Sequence, residues 1–202
     1  MCGTPPKIRL RPVALDAHTF EDLARTHVKK LHVGFGMLLF VAADKIFEQI
    51  LAMWNGQLLR TCDPWAVVGG YRDGCILDWT KEGAPVTDLD LMMHEAQNRL
   101  AKFGGKVRID RCTGMEMLAQ IEDNSLDFIY LDGDHAKEVV YQELSTAWNK
   151  VKPGGIVGSH DHYNRSDQFQ NCGVADAFWD FCHEKGIKPH WTMCTSVWVL
   201  KS

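Results

Sequence analysis

Between Leu126 and Tyr163 the chain reads LDFIYLDGDHAKEVVYQELSTAWNKVKPGGIVGSHDHY: an apolar run, a stretch with inward residues at helical spacing, and a second apolar run. The inward residues are Val140, Leu144, Ala147, Trp148 and Val151, which predicts a helix from Ala136 to Val151 between two strands. Two strands joined by a helix pair in parallel. Both runs end in acids and histidines, in LDGDH and in GSHDH, so the two strand ends bring ligands to one edge of a sheet.

The same alternation extends in both directions. QLLRTCD reads as a strand ending on Asp63, Asp88 to Phe103 as a helix, KVRID as a short strand, and Thr113 with Glu116 as a capping box opening another helix. GVADAFWDFCHEKG is helical, and KPHWTMC with SVWVLKS predicts a hairpin. Thr19 to Leu31 has the spacing of a covering helix, and Leu39 to Ala43 reads as the first buried strand, ahead of a helix through Ile46, Phe47, Ile50, Leu51 and Trp54. The expectation is an α/β fold with a Rossmann-like, mostly parallel seven-stranded sheet, helices on both faces and a C-terminal antiparallel hairpin strand. With 202 residues, 46% of them hydrophobic, one domain accounts for the chain, residues 1–36 covering a core of 37–202.

A net charge of -4 gives no basic footprint, so the expected partner is a small molecule and not nucleic acid. Seven scattered cysteines predict a reducing, cytoplasmic setting. The most apolar stretch, Gly34 to Ala43, is too short to span a bilayer. The hairpin edge and Trp179 offer surfaces for a homo-oligomer, which nothing in the sequence demands.

Asp63 suits two roles, a ribose acceptor at a strand end or the start of an Asp-Pro turn. Asp132, Asp134, His135, His160, Asp161 and His162 are the richest ligand set in the chain; carboxylates suit Mg²⁺ and imidazoles Zn²⁺, Fe²⁺ or Mn²⁺, which leaves the ion open.

These residues resemble a known family. LDFIYLDGDH, a helix ending in Trp148 and KVKPGGIVGSHDHY are similar to the class I S-adenosylmethionine-dependent methyltransferases, in the small metal-dependent branch with macrocin-type and cephalosporin-hydroxylase-like members. CDPW at Cys62 to Trp65, RLAKFGGKVRIDRCTG and SVWVLK carry the same resemblance, which covers Leu39 to the C-terminus. It implies transfer of a methyl group from S-adenosylmethionine to a small-molecule hydroxyl, assisted by a divalent metal with Mg²⁺ as the expected ion. By position it implies Asp132, His160 and Asp161 as metal ligands and His135 as general base. The cofactor would meet Asp132, Asp63 at the ribose, Trp65 beside the adenine, Thr113 in the base-side loop, and Ala42 and Asp44 in the first loop.

That first loop departs from the family pattern. With LLFVAADK as strand and loop, Leu38 stands where an acid is expected, and Phe40 and Asp44 where glycines are. The alternative register takes LHVGFG as the strand, restoring Gly34 and Gly36 but lengthening the gap to Asp63; the shorter gap favours LLFVAADK. Two other functions follow from the same residues: a methyltransferase-like scaffold without cofactor, favoured by the departures, and a metal-dependent hydrolase or oxygenase, disfavoured because neighbours on a turning chain diverge.

Overall fold

The computed structural model describes residues 30–35, 51–52, 56–65, 89–162, 173–191 and 196–202. Its strands are β1 (Lys30–Phe35), β2 (Leu58–Asp63), β3 (Val107–Arg111), β4 (Leu126–Asp132), β5 (Val151–Ser159), β6 (His190–Trp191) and β7 (Val197–Leu200). The helices are α1 (Leu89–Leu100), α2 (Gly114–Ala119), α3 (Lys137–Lys150) and α4 (Val174–Lys185), with a 3₁₀ stretch at Ala101–Lys106. The strands form one sheet in the order β3-β2-β1-β4-β5-β7-β6. β1 to β5 pair in parallel, and β7 runs antiparallel to both β5 and β6. The order turns back between β1 and β4, so the carboxyl ends of β2, β1, β4 and β5 flank the crevice where ligands bind in such sheets.

Local chemistry explains the elements around that crevice. β4 is apolar on both faces, as a central parallel strand must be, with Phe128, Ile129 and Leu131 buried. α3 buries Val140, Leu144 and Ala147 in one stripe and packs on α4, where Phe181 meets Trp148 edge to face at 5.5 Å. Thr113 caps α2: its hydroxyl accepts the Glu116 N–H at 3.2 Å while Glu116 accepts the Thr113 N–H at 2.8 Å.

Lys152 to Gly155 do not precede β5 but sit inside it. The register runs from Leu126 opposite Val151 to Phe128 opposite Ile156, so β5 carries extra residues in a bulge. A Cβ on Gly155 would lie 2.5 Å from Val151 Cγ1 and 2.8 Å from the Asp127 carbonyl oxygen, which is why glycine stands there.

The first strand corrects the sequence reading. β1 is KLHVGF, paired with β2 on one side and β4 on the other, with Gly34 opposite both Cys62 and Leu131. The chain therefore uses the LHVGFG register, with Gly34 inside the strand. One expectation fails with it: Leu31 belongs to a strand and not to a covering helix. The run Leu39 to Ala43 lies outside the described residues. A short apolar run cannot be told from a buried helix segment by periodicity, and only pairing on both edges identifies the central strand.

Candidate active site

At the end of β2, Asp63 is 2% exposed. Its Oδ1 accepts the Trp65 N–H at 2.5 Å, whereas Oδ2 is buried with no hydrogen-bond partner among the described residues. Burial pushes the Asp63 carboxyl up to about 7, against the Trp65 amide, which favours the anion. The loop that does this is braced from β3. Trp65 takes a φ of 48°, a left-handed conformation that bulky residues rarely adopt. The Arg111 guanidinium holds it there, donating to the Pro64 carbonyl at 3.3 Å, the Trp65 carbonyl at 3.0 Å and Asp90 at 2.7 Å. The Cys112 N–H donates to the Asp63 carbonyl at 3.2 Å. A buried carboxylate oxygen without a donor is costly, and a ligand with hydroxyl donors would satisfy it.

At the ends of β4 and β5, Asp132, His135 and Asp161 each offer a ligand atom within 4.8 Å of the others, and all three are buried. His135 Nε2 lies 2.9 Å from Asp161 Oδ2, and His160 Nδ1 lies 3.1 Å from Asp161 Oδ1 and 3.9 Å from Asp132 Oδ1. Asp161 has a φ of 58°, which turns the chain just after β5 and sends its carboxylate towards β4. Aspartate tolerates that conformation better than most residues.

The electrostatics are unbalanced in a way that favours a cation. Burial pushes Asp132 up to about 7, with His160 opposing and the Asp161 charge adding to the rise. Burial also works against the Asp161 anion, but His135 and His160 outweigh it and hold that carboxyl below the usual range. For His160 burial disfavours the charged ring, yet the two carboxylates leave its pKa raised. Asp132 accepts no hydrogen bond from a described residue, and His160 Nδ1 stands 3.9 Å from its Oδ1. An orphaned buried carboxylate beside a second one fits a divalent ion.

The structure thus brings together Asp132, Asp161 and both histidines, with His135 deeper than His160. His135, expected as the base, is the imidazole in the tight set, and its side chain is 5% exposed; His160, expected as a ligand, stands at the rim with 27% exposed. Asp134 turns aside to accept the Ala136 N–H at 2.7 Å at the start of α3. His162 is buried outside that set. Thr113 commits its hydroxyl and amide to Glu116. Ala42 and Asp44 lie outside the described residues, and the strand expected to lead into them has given way to β1.

One buried acid escaped the sequence reading. Glu143, on the inward face of α3, is pushed up to about 7 by burial and by Asp134, with His135 opposing. Its Oε1 would be 2.8 Å from a Cβ on Gly114, so the opening of α2 is shaped around it. The signal was its spacing, three residues after Val140 and four before Ala147.

A family model described as a methyltransferase domain matches residues 32–162, more than half of the chain. The protein belongs to this methyltransferase family. Solved structures share the fold at low identity. NovP, an O-methyltransferase, is 14% identical with a TM-score of 0.62, over 92% of this chain and 79% of its own. The O-methyltransferase from Bacillus cereus, in complex with SAH, is 12% identical with a TM-score of 0.58, over 97% and 84%. TomG from Streptomyces achromogenes, an O-methyltransferase of tomaymycin synthesis in complex with SAM, is 12% identical with a TM-score of 0.58, over 92% and 79%. No curated protein matches this methyltransferase. Among its described residues no helix is long and apolar enough to cross a membrane.

Proposed function

We propose that this methyltransferase moves the methyl group of S-adenosylmethionine to a hydroxyl of a small molecule, with a divalent ion at the β4 and β5 ends. The observation that carries the reading is Asp63 Oδ2, buried and without a hydrogen-bond partner among the described residues at the strand end where ribose hydroxyls would supply donors. The O-methyltransferase character of NovP, TomG and the Bacillus cereus enzyme supports the choice of a hydroxyl.

The sulfonium of the donor already activates the methyl group, so the protein's part is alignment and deprotonation. Asp63 accepts the ribose hydroxyls, and Trp65, fixed by Arg111, walls the adjoining space. Asp132 and Asp161 hold the ion. A bound divalent ion supplies Lewis acidity that brings a hydroxyl's pKa towards neutrality. His160, the more exposed imidazole, sits 3.1 Å from Asp161 and is placed to take the hydroxyl's proton at its ring nitrogen. The scaffold reading rested on Leu38, Phe40 and Asp44 standing at the acid and glycine positions of the LLFVAADK register, and the pairing of β1 supports the other register.

Titration calorimetry of the full chain with S-adenosylmethionine and its demethylated product tests the reading. Binding is expected, weakened roughly tenfold or more in Asp63→Ala, in line with loss of a hydrogen bond to a charged group. A folded protein that binds neither compound would overturn it.

A further inference from the structure

We infer that Asp132, His135 and Asp161 form one mixed nitrogen and oxygen centre that takes a first-row transition ion, of the Mn²⁺, Fe²⁺ and Zn²⁺ class, in preference to Mg²⁺. What such an ion does rests on the methyl-transfer reading; its binding does not.

Three observations carry the assignment. The first is chemical: the tightest buried set contains an imidazole with two carboxylates. Mg²⁺ keeps oxygen ligands and several waters, whereas imidazole suits the later ions. The second is distance. Ions of this class bind nitrogen and oxygen at about 2.1 Å, so two donors at right angles stand roughly 3 Å apart. His135 Nε2 and Asp161 Oδ2 are 2.9 Å apart. In the metal-free chain a shared proton occupies that gap, and an ion replaces it. The third is Asp132, 8% exposed, accepting no hydrogen bond from a described residue although it stands beside a second carboxylate.

The surroundings fix His135 for this part. Its backbone carbonyl accepts the Gly173 N–H at 2.7 Å, tying it to the start of α4, and Asp134 anchors the next turn through Ala136. The ring is therefore held at the interior. His160 belongs to the rim, 3.9 Å from Asp132, and is not needed to complete the set.

The test uses the full chain freed of metal by a chelator, and needs no acceptor substrate. Calorimetric affinities for Mg²⁺, Mn²⁺, Co²⁺ and Zn²⁺ are compared, and the visible absorption of the Co²⁺ form is recorded. Co²⁺ and Zn²⁺ are expected to bind at least about 100-fold more tightly than Mg²⁺, with a Co²⁺ band that reports nitrogen coordination. His135→Ala should weaken Co²⁺ by roughly tenfold or more and shift the band, while His160→Ala changes the affinity by less than about threefold. Asp132→Asn keeps the shape of the site and should lose the ion with circular dichroism unchanged, which separates ligand loss from misfolding. The assignment is overturned by equal affinity for Mg²⁺ and Co²⁺, by a Co²⁺ band indifferent to His135→Ala, by a larger loss in His160→Ala than in His135→Ala, or by a folded protein that takes no ion. S-adenosylmethionine titrated into the same samples keeps the two readings apart: ion binding without cofactor binding supports the metal centre and removes the methyl-transfer reading, and cofactor binding without ion binding overturns the metal centre and leaves methyl transfer without a metal.

Discussion

Asp63 stands near its titration midpoint at neutral pH, because burial lifts its carboxyl to about 7 while the Trp65 amide favours the anion. Ribose hydroxyls donate better to a carboxylate than to a carboxylic acid. The affinity for S-adenosylmethionine should therefore rise between pH 6 and pH 8 and level off above, with a limiting slope of about tenfold per pH unit below the midpoint. A calorimetric series across that range checks it, and a flat profile would remove Asp63 as the acceptor. Asp63, Asp132 and Asp161 were legible as acids leaving apolar strands. Which imidazole joins the carboxylates was not, since Asp161's positive φ and the turn before α3 set the directions of His160 and His135. The resemblance offered His160 by position, and the structure keeps His160 Nδ1 3.1 Å from Asp161 Oδ1 while leaving its side chain 27% exposed at the rim.

Among the elements, β5 shows how a motif acquires a geometric meaning. Pro153, Gly154 and Gly155 lie inside β5, where the pairing with β4 places them in a bulge. Two of the atoms that a Gly155 side chain would meet are backbone oxygens, of Asp127 at 2.8 Å and Lys152 at 3.0 Å. These cannot swing away as a side chain can. Gly155→Ala should cost about 1–3 kcal/mol, read as a lower denaturation midpoint with unchanged slope; a change below about 0.5 kcal/mol would show that the bulge relaxes. The helices were read from spacing with good reason: the α2 capping box and the α3 stripe are local patterns that the structure reproduces. β1 was misread because the shorter gap to Asp63 favoured LLFVAADK, whereas strand identity in a parallel sheet is decided by partners distant in sequence.

At the scale of the whole molecule, three buried acids share one consequence. Asp63, Asp132 and Glu143 are each raised to about 7, chiefly by burial. Between their ordinary values and about 7 the folded state holds protons that the unfolded state has released, so stability falls as pH rises through that window and levels above it. Asp161 acts in the opposite sense: its lowered pKa contributes stability that is present above the ordinary carboxylate range and lost only on acidification. The metal-free chain should be more stable at pH 5 than at pH 8. Glu143 faces Asp134 and His135, with Cys62 close by. Glu143→Gln removes its share, raising stability at pH 8 by on the order of 1–3 kcal/mol, a melting point several degrees higher, with the gain shrinking towards pH 5. A gain that is the same at both pH values would contradict the buried, proton-holding state. By itself the sequence determined the alternation of strands and helices, the apolar faces, the capping box and the acids at strand ends, because each depends on residues within a turn or two of one another. Only the tertiary structure decided which segment is the central strand, that His135 rather than His160 closes the buried set, and that Glu143 lies in the interior. Those depend on pairing and burial between segments far apart in the chain, where no local pattern carries the information.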